Sequence, residues 1–156
     1  AAAAAEAADD GVPQPRDDEQ DLQELLKGLG KAATLQDSRA IPAFAQALQE
    51  RFIRSLGPFA VFSAFWDTFS KAKLPVHRKS IIYVVHEAFM RSRKEGSFEQ
   101  WRPSCVGEFL LKAGKLVRKF KADERSSYCK VAAEWKKRKC LKPAEFEQLK
   151  DSWDLD

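Results

Sequence analysis

Lys79, Tyr83, His86 and Met90 recur at helical spacing in the stretch KAKLPVHRKSIIYVVHEAFMRSRK, residues 71 to 94. A second set on the same stretch, Ile82, Val85 and Phe89, has the same period and the apolar character of a core stripe. One helix with a core stripe and a separate aromatic and basic stripe has a face left over for a ligand. The stretch YCKVAAEWKKRK, residues 128 to 139, is built alike. Tyr128, Val131 and Trp135 point one way, while Ser127, Lys130 and Lys137 fall elsewhere. A phenol, an imidazole, a thioether and several ammonium groups suit a ligand that is both acidic and aromatic.

Catalytic and metal chemistry find no support in the sequence. No GxSxG, HExxH or Walker loop occurs. GLGKAA at 28 to 33 fits a relaxed dinucleotide pattern, but a Leu-rich helical segment precedes it where a strand is required. His77 and His86 are nine residues apart and do not share a helix face, and no cysteine or carboxylate completes a ligand set. The expectation is a protein that is not an enzyme and needs neither metal nor cofactor.

These stripes need helices to hold them, and the punctuation supplies helices. Leu22, Leu25, Leu26 and Leu29 form a first amphipathic set, closed by Gly28 and Gly30. Asp37 or Ser38 caps a second helix carrying Ile41, Phe44, Ala45, Leu48 and Phe52, which Gly57-Pro58 breaks. Phe59, Phe62, Phe65, Trp66 and Phe69 make a third segment, buried on most sides. Pro75 opens the fourth and Glu95-Gly96-Ser97 closes it. A fifth spans Phe98 to about Gly107, broken or restarted by Pro103, and apolar spacing resumes through Phe109, Leu110, Leu116 and Val117. Asp123 caps the segment with Trp135, and Pro143 lies in the first turn of the last, with Phe146, Leu149 and Trp153. The expected fold is all-α, with seven or eight short-linked helices stacked as a compact solenoid and no strand.

At 156 residues the chain is one domain, 21 to 156, behind an irregular tail, 1 to 20. The tail holds six acids against Arg16, a net −5, so the remainder carries +9. Twelve Lys or Arg lie between Lys112 and Lys142 against Asp123, Glu124 and Glu134. A basic domain points to phosphate-bearing partners, although a solvated Lys-rich surface reads the same way. Cys105, Cys129 and Cys140 are odd in number without CxxC spacing, which fits reduced thiols in the cytosol or nucleus. The longest apolar run, Ile81 to Val85, is too short to span a bilayer. The N-terminus has no starting Met, basic region or apolar segment, so a cut fragment is expected and a secretory signal is not supported.

Residues 21 to 153 resemble the CTD-interacting domain, the helical module that reads the phosphorylated C-terminal repeats of RNA polymerase II. Its signature helix reads roughly K-x-P-x-x-K/R-x-x-x-L/I-Y-L/V-x-D-S-x-x-x-N. Lys73, Pro75, Arg78 or Lys79, Ile82, Tyr83 and Val84 fall in line, with Ser92 near the motif's end. The later R-V-L-x-x-W is matched by Lys130, Val131, Ala132 and Trp135, and Arg138 follows. The closing helix with Phe146, Leu149 and Trp153 is also similar. The family's helix-four Asp falls at His86, with Glu87 beside it, and its Asn is replaced by Arg91. A splicing-associated subgroup is similar in moving the acid one place along.

The resemblance implies a right-handed superhelical arrangement, shared with ENTH and VHS trafficking modules, and a monomer. It implies a nuclear protein that couples transcription to RNA 3′-end processing, termination or splicing. The peptide groove would lie between the second, fourth and seventh helices, with Lys79, Tyr83, His86, Glu87, Met90, Arg91, Lys130 and Lys137 as candidate contacts. Lys130 stands where the family places an Arg that pairs with phosphoserine, and an ammonium meets phosphate as a point charge rather than a fork. Bland readings stay open beside these. His86 fits a histidine satisfied within the fold, Glu87 fits an i, i+4 pair with Arg91, and Lys136 to Lys139 fit cations at a helix C-terminus as well as a nuclear localisation patch. The rival partners are RNA or DNA on the 112–142 surface, or an anionic membrane bound as trafficking adaptors bind it. The latter is disfavoured because no bulky amphipathic helix precedes the domain.

Overall fold

A computed structural model describes residues 15–31 and 39–156, and among them every regular element is helical. The seven helices are α1 (Pro15–Lys31), α2 (Ala40–Ala47, continuing through Leu48–Phe52 and Ile53–Leu56), α3 (Pro58–Lys71), α4 (Pro75–Ser92), α5 (Phe98–Cys105, continuing through Val106–Leu110 and Leu111–Val117), α6 (Ala122–Lys137) and α7 (Pro143–Trp153). The all-α expectation is met. No helix among the described residues is long and apolar enough to cross a membrane.

Proline opens α3, α4 and α7 at the first helical turn, where its missing N–H has no intrahelical partner to lose. Gly57 separates α2 from α3 with φ of 85°, a conformation that disfavours any Cβ. Other expected boundaries moved. Helix α1 starts at Pro15, inside the segment read as tail, and runs through Gly28 and Gly30 to Lys31. The Gly28 position faces the Phe44 ring, so that glycine serves close packing of α1 on α2 rather than a helix stop. Asp123 sits inside α6, accepting from the Glu124 N–H at 2.9 Å, and Lys121 holds the cap position. Phe59 is 65 % exposed, unlike its neighbours Phe62, Phe65 and Phe69. The Asp37 or Ser38 cap lies outside the described residues.

Pro103 does not break α5. It lies on the exposed face, so its missing N–H costs one hydrogen bond that water can replace, while the opposite face stays buried. That buried face recurs every fourth residue, at Trp101, Cys105, Phe109, Ala113 and Val117. Four residues turn an α-helix about 40° past a full circle, so such a stripe drifts round the axis. The wider π-helical turn at Val106–Leu110 takes up the drift and keeps the stripe on one side.

Contacts between helices show two layers. Phe62 packs on Trp101 and Phe69 on Phe109, so α3 and α5 run in one direction. Arg102 bonds Glu145 and the Trp153 indole donates to the Leu110 carbonyl at 2.7 Å, which adds α7 in the same sense. In the other layer Arg78 meets Glu124 and Phe89 meets Trp135, both 46 residues apart, so α4 and α6 are parallel and in register. Rings from both layers meet between them: Phe89 touches Trp101 of α5 and Trp135 of α6, and Trp135 touches Trp153 of α7. Burying such rings contributes about 1.5 to 3 kcal/mol each. Two inward-turned arginines, Arg102 buried and Arg78 half-buried, add specific joints. Arg78 gives two bonds to Glu124, at 2.8 and 2.7 Å, and Arg102, 3 % exposed, lies between Glu99 and Glu145.

Candidate functional site

Helix α4 lies between α2 and α6, and its outward strip carries the residues singled out above. Across that strip His86 faces α6, Arg91 faces α2, and Tyr83 stands between them, 37 % exposed. Lys79, Glu87 and Met90 are half-buried along its length, and Met90 packs partly on the core. The α4–α6 pairs, 46 to 49 residues apart, bring Tyr83 level with residues 129 to 132 of α6, a stretch that includes exposed Lys130. Lys137 is exposed at the last residue of α6, beyond the level of Met90.

His86 has a defined partner that spacing gave no hint of. The Trp135 indole N–H donates to its Nδ1 at 3.0 Å, and the rings lie nearly parallel. Nδ1 must therefore accept, which leaves the proton on Nε2 as the group available to a ligand. Burial holds the imidazole pKa below its ordinary value and nearby Arg138 lowers it further, against Glu87 and Glu134. Neutral His86 at pH 7 is a hydrogen-bond donor rather than an anion-binding cation. It also joins the core Trp135 of α6 to the strip on α4.

Arg78 and Lys79 both align with one cationic position of the signature helix, and the structure separates them. The Arg78 guanidinium is turned inward to Glu124 and lies over the Phe120 ring, so Lys79 is the cation beside the strip. Arg91 donates to Gln46 at 3.4 Å across to α2, and Gln46 donates to Glu50. His77 sits away from this strip, its Nε2 bonded to the Leu29 carbonyl at 2.8 Å, joining the start of α4 to the end of α1. No group of three metal-ligating side chains gathers among the described residues.

Sequence reasoning missed the cleft at the C-terminal end of α4. It measures about 740 Å³ and is lined by Gln46, Gln49, Ile53, Arg54, Arg91 and Trp101, among others, so the Arg91 end of the strip opens into it. Gln46 and Gln49 carry no charge or periodic pattern that would mark them. No protein-family model, curated protein or solved structure matches this chain.

Proposed function

We propose that this protein is a non-enzymatic binding module that holds a phosphorylated peptide along α4, between α2 and α6. The observation that supports the reading is the parallel register of α4 and α6, in which exposed Tyr83 and exposed Lys130 fall at about the same height on neighbouring helices. An apolar or aromatic peptide side chain would rest beside Tyr83 and Met90. The His86 Nε2–H would donate to a peptide carbonyl and Lys130 would meet the phosphate, with Lys79 and Lys137 flanking it along the groove. A phosphate with about −1.5 to −2 charges gains from an ammonium group as a point charge without needing a bidentate fork.

The resemblance of the α4 and α6 sequences to the CTD-interacting domain names the ligand to try first, the phosphorylated C-terminal repeats of RNA polymerase II. A nuclear role in coupling transcription to RNA 3′-end processing, termination or splicing follows from the same reading. Fluorescence anisotropy with labelled repeat peptides, with and without phosphoserine, tests it. Lys130→Glu should weaken the phosphopeptide at least about tenfold, roughly 1.4 kcal/mol, and leave the unphosphorylated peptide nearly unchanged. Equal affinity of parent and variant for the phosphopeptide at moderate salt would refute the assignment. An affinity for RNA that exceeds the phosphopeptide's and falls linearly in a log–log salt plot would favour the nucleic-acid reading instead.

A further inference from the structure

A second recess lies where α6 ends and α7 begins. It encloses about 430 Å³ and is lined by Lys136, Lys139, Leu141, Pro143, Phe146 and Glu147. That volume lies in the range of about 300 to 1,000 Å³ usual for ligand pockets. Its walls are mostly apolar and its rim is mostly cationic. Six positions along a helix turn about 240°, so Lys136 faces away from Lys130 and the α4 strip. The recess is a separate surface.

The backbone at its rim is unusual. Lys139 N–H bonds the Lys136 carbonyl and Cys140 N–H bonds the Trp135 carbonyl, a helix stop that places Lys139 at the left-handed position, φ 57°. Glycine is the favoured residue there, because a Cβ in that conformation is strained. Asp154, at the end of α7, takes the same left-handed position with φ of 56° in the same kind of helix stop, so a non-glycine residue there is not confined to this recess. At position 139 the chain carries the strain and keeps an ammonium at the mouth of an apolar recess. Lys136 is held over the Phe146 ring, 5.5 Å from its centroid, which fixes a second ammonium at the rim.

We propose that this recess docks an acidic linear peptide, with one bulky apolar side chain in the cavity and flanking carboxylates on Lys136 and Lys139. Charge complementarity selects the occupant. The lining carries the cations Lys136 and Lys139 against one acid, Glu147, while the adjoining Arg138 and Lys142 already pair with Glu134 and Glu99. A nucleic-acid strand fits less well, because stacking needs an open aromatic face and Lys136 already covers that of Phe146.

The probe is a fluorescein-labelled dodecapeptide of glutamates around one central leucine, read by anisotropy on the full chain. The controls carry alanine in place of the leucine, or lysines in place of the glutamates. Saturable binding of the leucine peptide is expected, with both controls at least about tenfold weaker. Lys139→Gly should melt at a higher temperature than the parent and bind the probe about tenfold more weakly, a pairing that loss of structure cannot produce. Lys136→Glu should weaken binding likewise, and Lys130→Glu should leave it unchanged, so this site and the α4 strip stand or fall separately. Any one of these results overturns the proposal: no saturable binding, equal binding of the alanine peptide, an unaltered affinity in Lys139→Gly, or loss of the probe in Lys130→Glu alone.

Discussion

Two glycines of α5 should respond to alanine with opposite signs. A Cβ built on Gly114 would lie 1.9 Å from Ser152 Oγ and 2.4 Å from the Ser152 carbonyl oxygen. The hydroxyl could swing aside, but it donates to the Leu111 carbonyl at 2.5 Å, and the carbonyl oxygen is backbone. Relief therefore requires α5 and α7 to part by about an ångström where the Trp153 indole bonds Leu110. Overpacking of this kind costs about 1 to 3 kcal/mol or more, and lost bonds to Leu110 and Leu111 add about 1 kcal/mol each. Alanine returns about 1 kcal/mol of helix propensity, so Gly114→Ala should destabilise by about 2 to 4 kcal/mol. Gly107, about two turns earlier, has nothing within 4 Å of its virtual Cβ, so Gly107→Ala should stabilise by about 0.5 to 1 kcal/mol. In urea, with m near 2 kcal/mol/M, the midpoints should move by about −1 to −2 M and +0.3 to +0.5 M respectively. If Gly114→Ala matches or exceeds the parent, α7 does not sit on α5 as described, and the placement of Trp153 against Trp135 fails with it.

Arg78→Met should cost about 3 to 5 kcal/mol by leaving the Glu124 carboxylate buried and unpaired, whereas adding Glu124→Leu should recover most of that in the same urea titration. A single variant no less stable than the parent would remove this joint from the account. The lowered pKa of His86 makes the unfolded chain bind the proton more readily, so stability present above about pH 6.5 should fall as pH drops through the folded value. The loss cannot exceed about 1.4 kcal/mol per pH unit for one proton, and His86→Gln should flatten the profile between pH 6.5 and 5.5. An unchanged slope in that variant would mean that another group titrates there. The lowered carboxylates Glu99 and Glu134 titrate below this window.

The sequence marked features whose cause is local. Pro75 and Pro143 start helices because a fixed φ and a missing N–H act within one turn, and Gly57-Pro58 separates two helices for the same reason. The core stripes Ile82, Val85, Phe89 and Tyr128, Val131, Trp135 were legible because burial follows the helical period. Pro103 misled because whether a proline ends a helix depends on which face meets water, and that is decided by packing elsewhere. Phe59 misled in the opposite way: its type suits a core, but the first turn of α3 leaves it facing outward.

The site was legible as a stripe and illegible as a circuit. Tyr83, Lys79 and Met90 shared a face by spacing alone, whereas the bonds from Trp135 to His86 and from Arg78 to Glu124 join residues 49 and 46 apart. Only the tertiary register creates such pairs, and they change the chemistry of the strip. Arg78 is spent on Glu124, and Arg91 leans to Gln46 on the α2 side, so the cations left near Tyr83 are lysines. Ammonium groups act as point charges on a partly exposed face, where salt screens over about 8 to 10 Å. If a phosphopeptide binds along α4 as proposed, its phosphate discrimination should therefore weaken steeply with ionic strength, while apolar contact at Tyr83 and Met90 should persist. An arginine fork would show less of that contrast, which makes Lys130→Arg the substitution that separates charge from geometry.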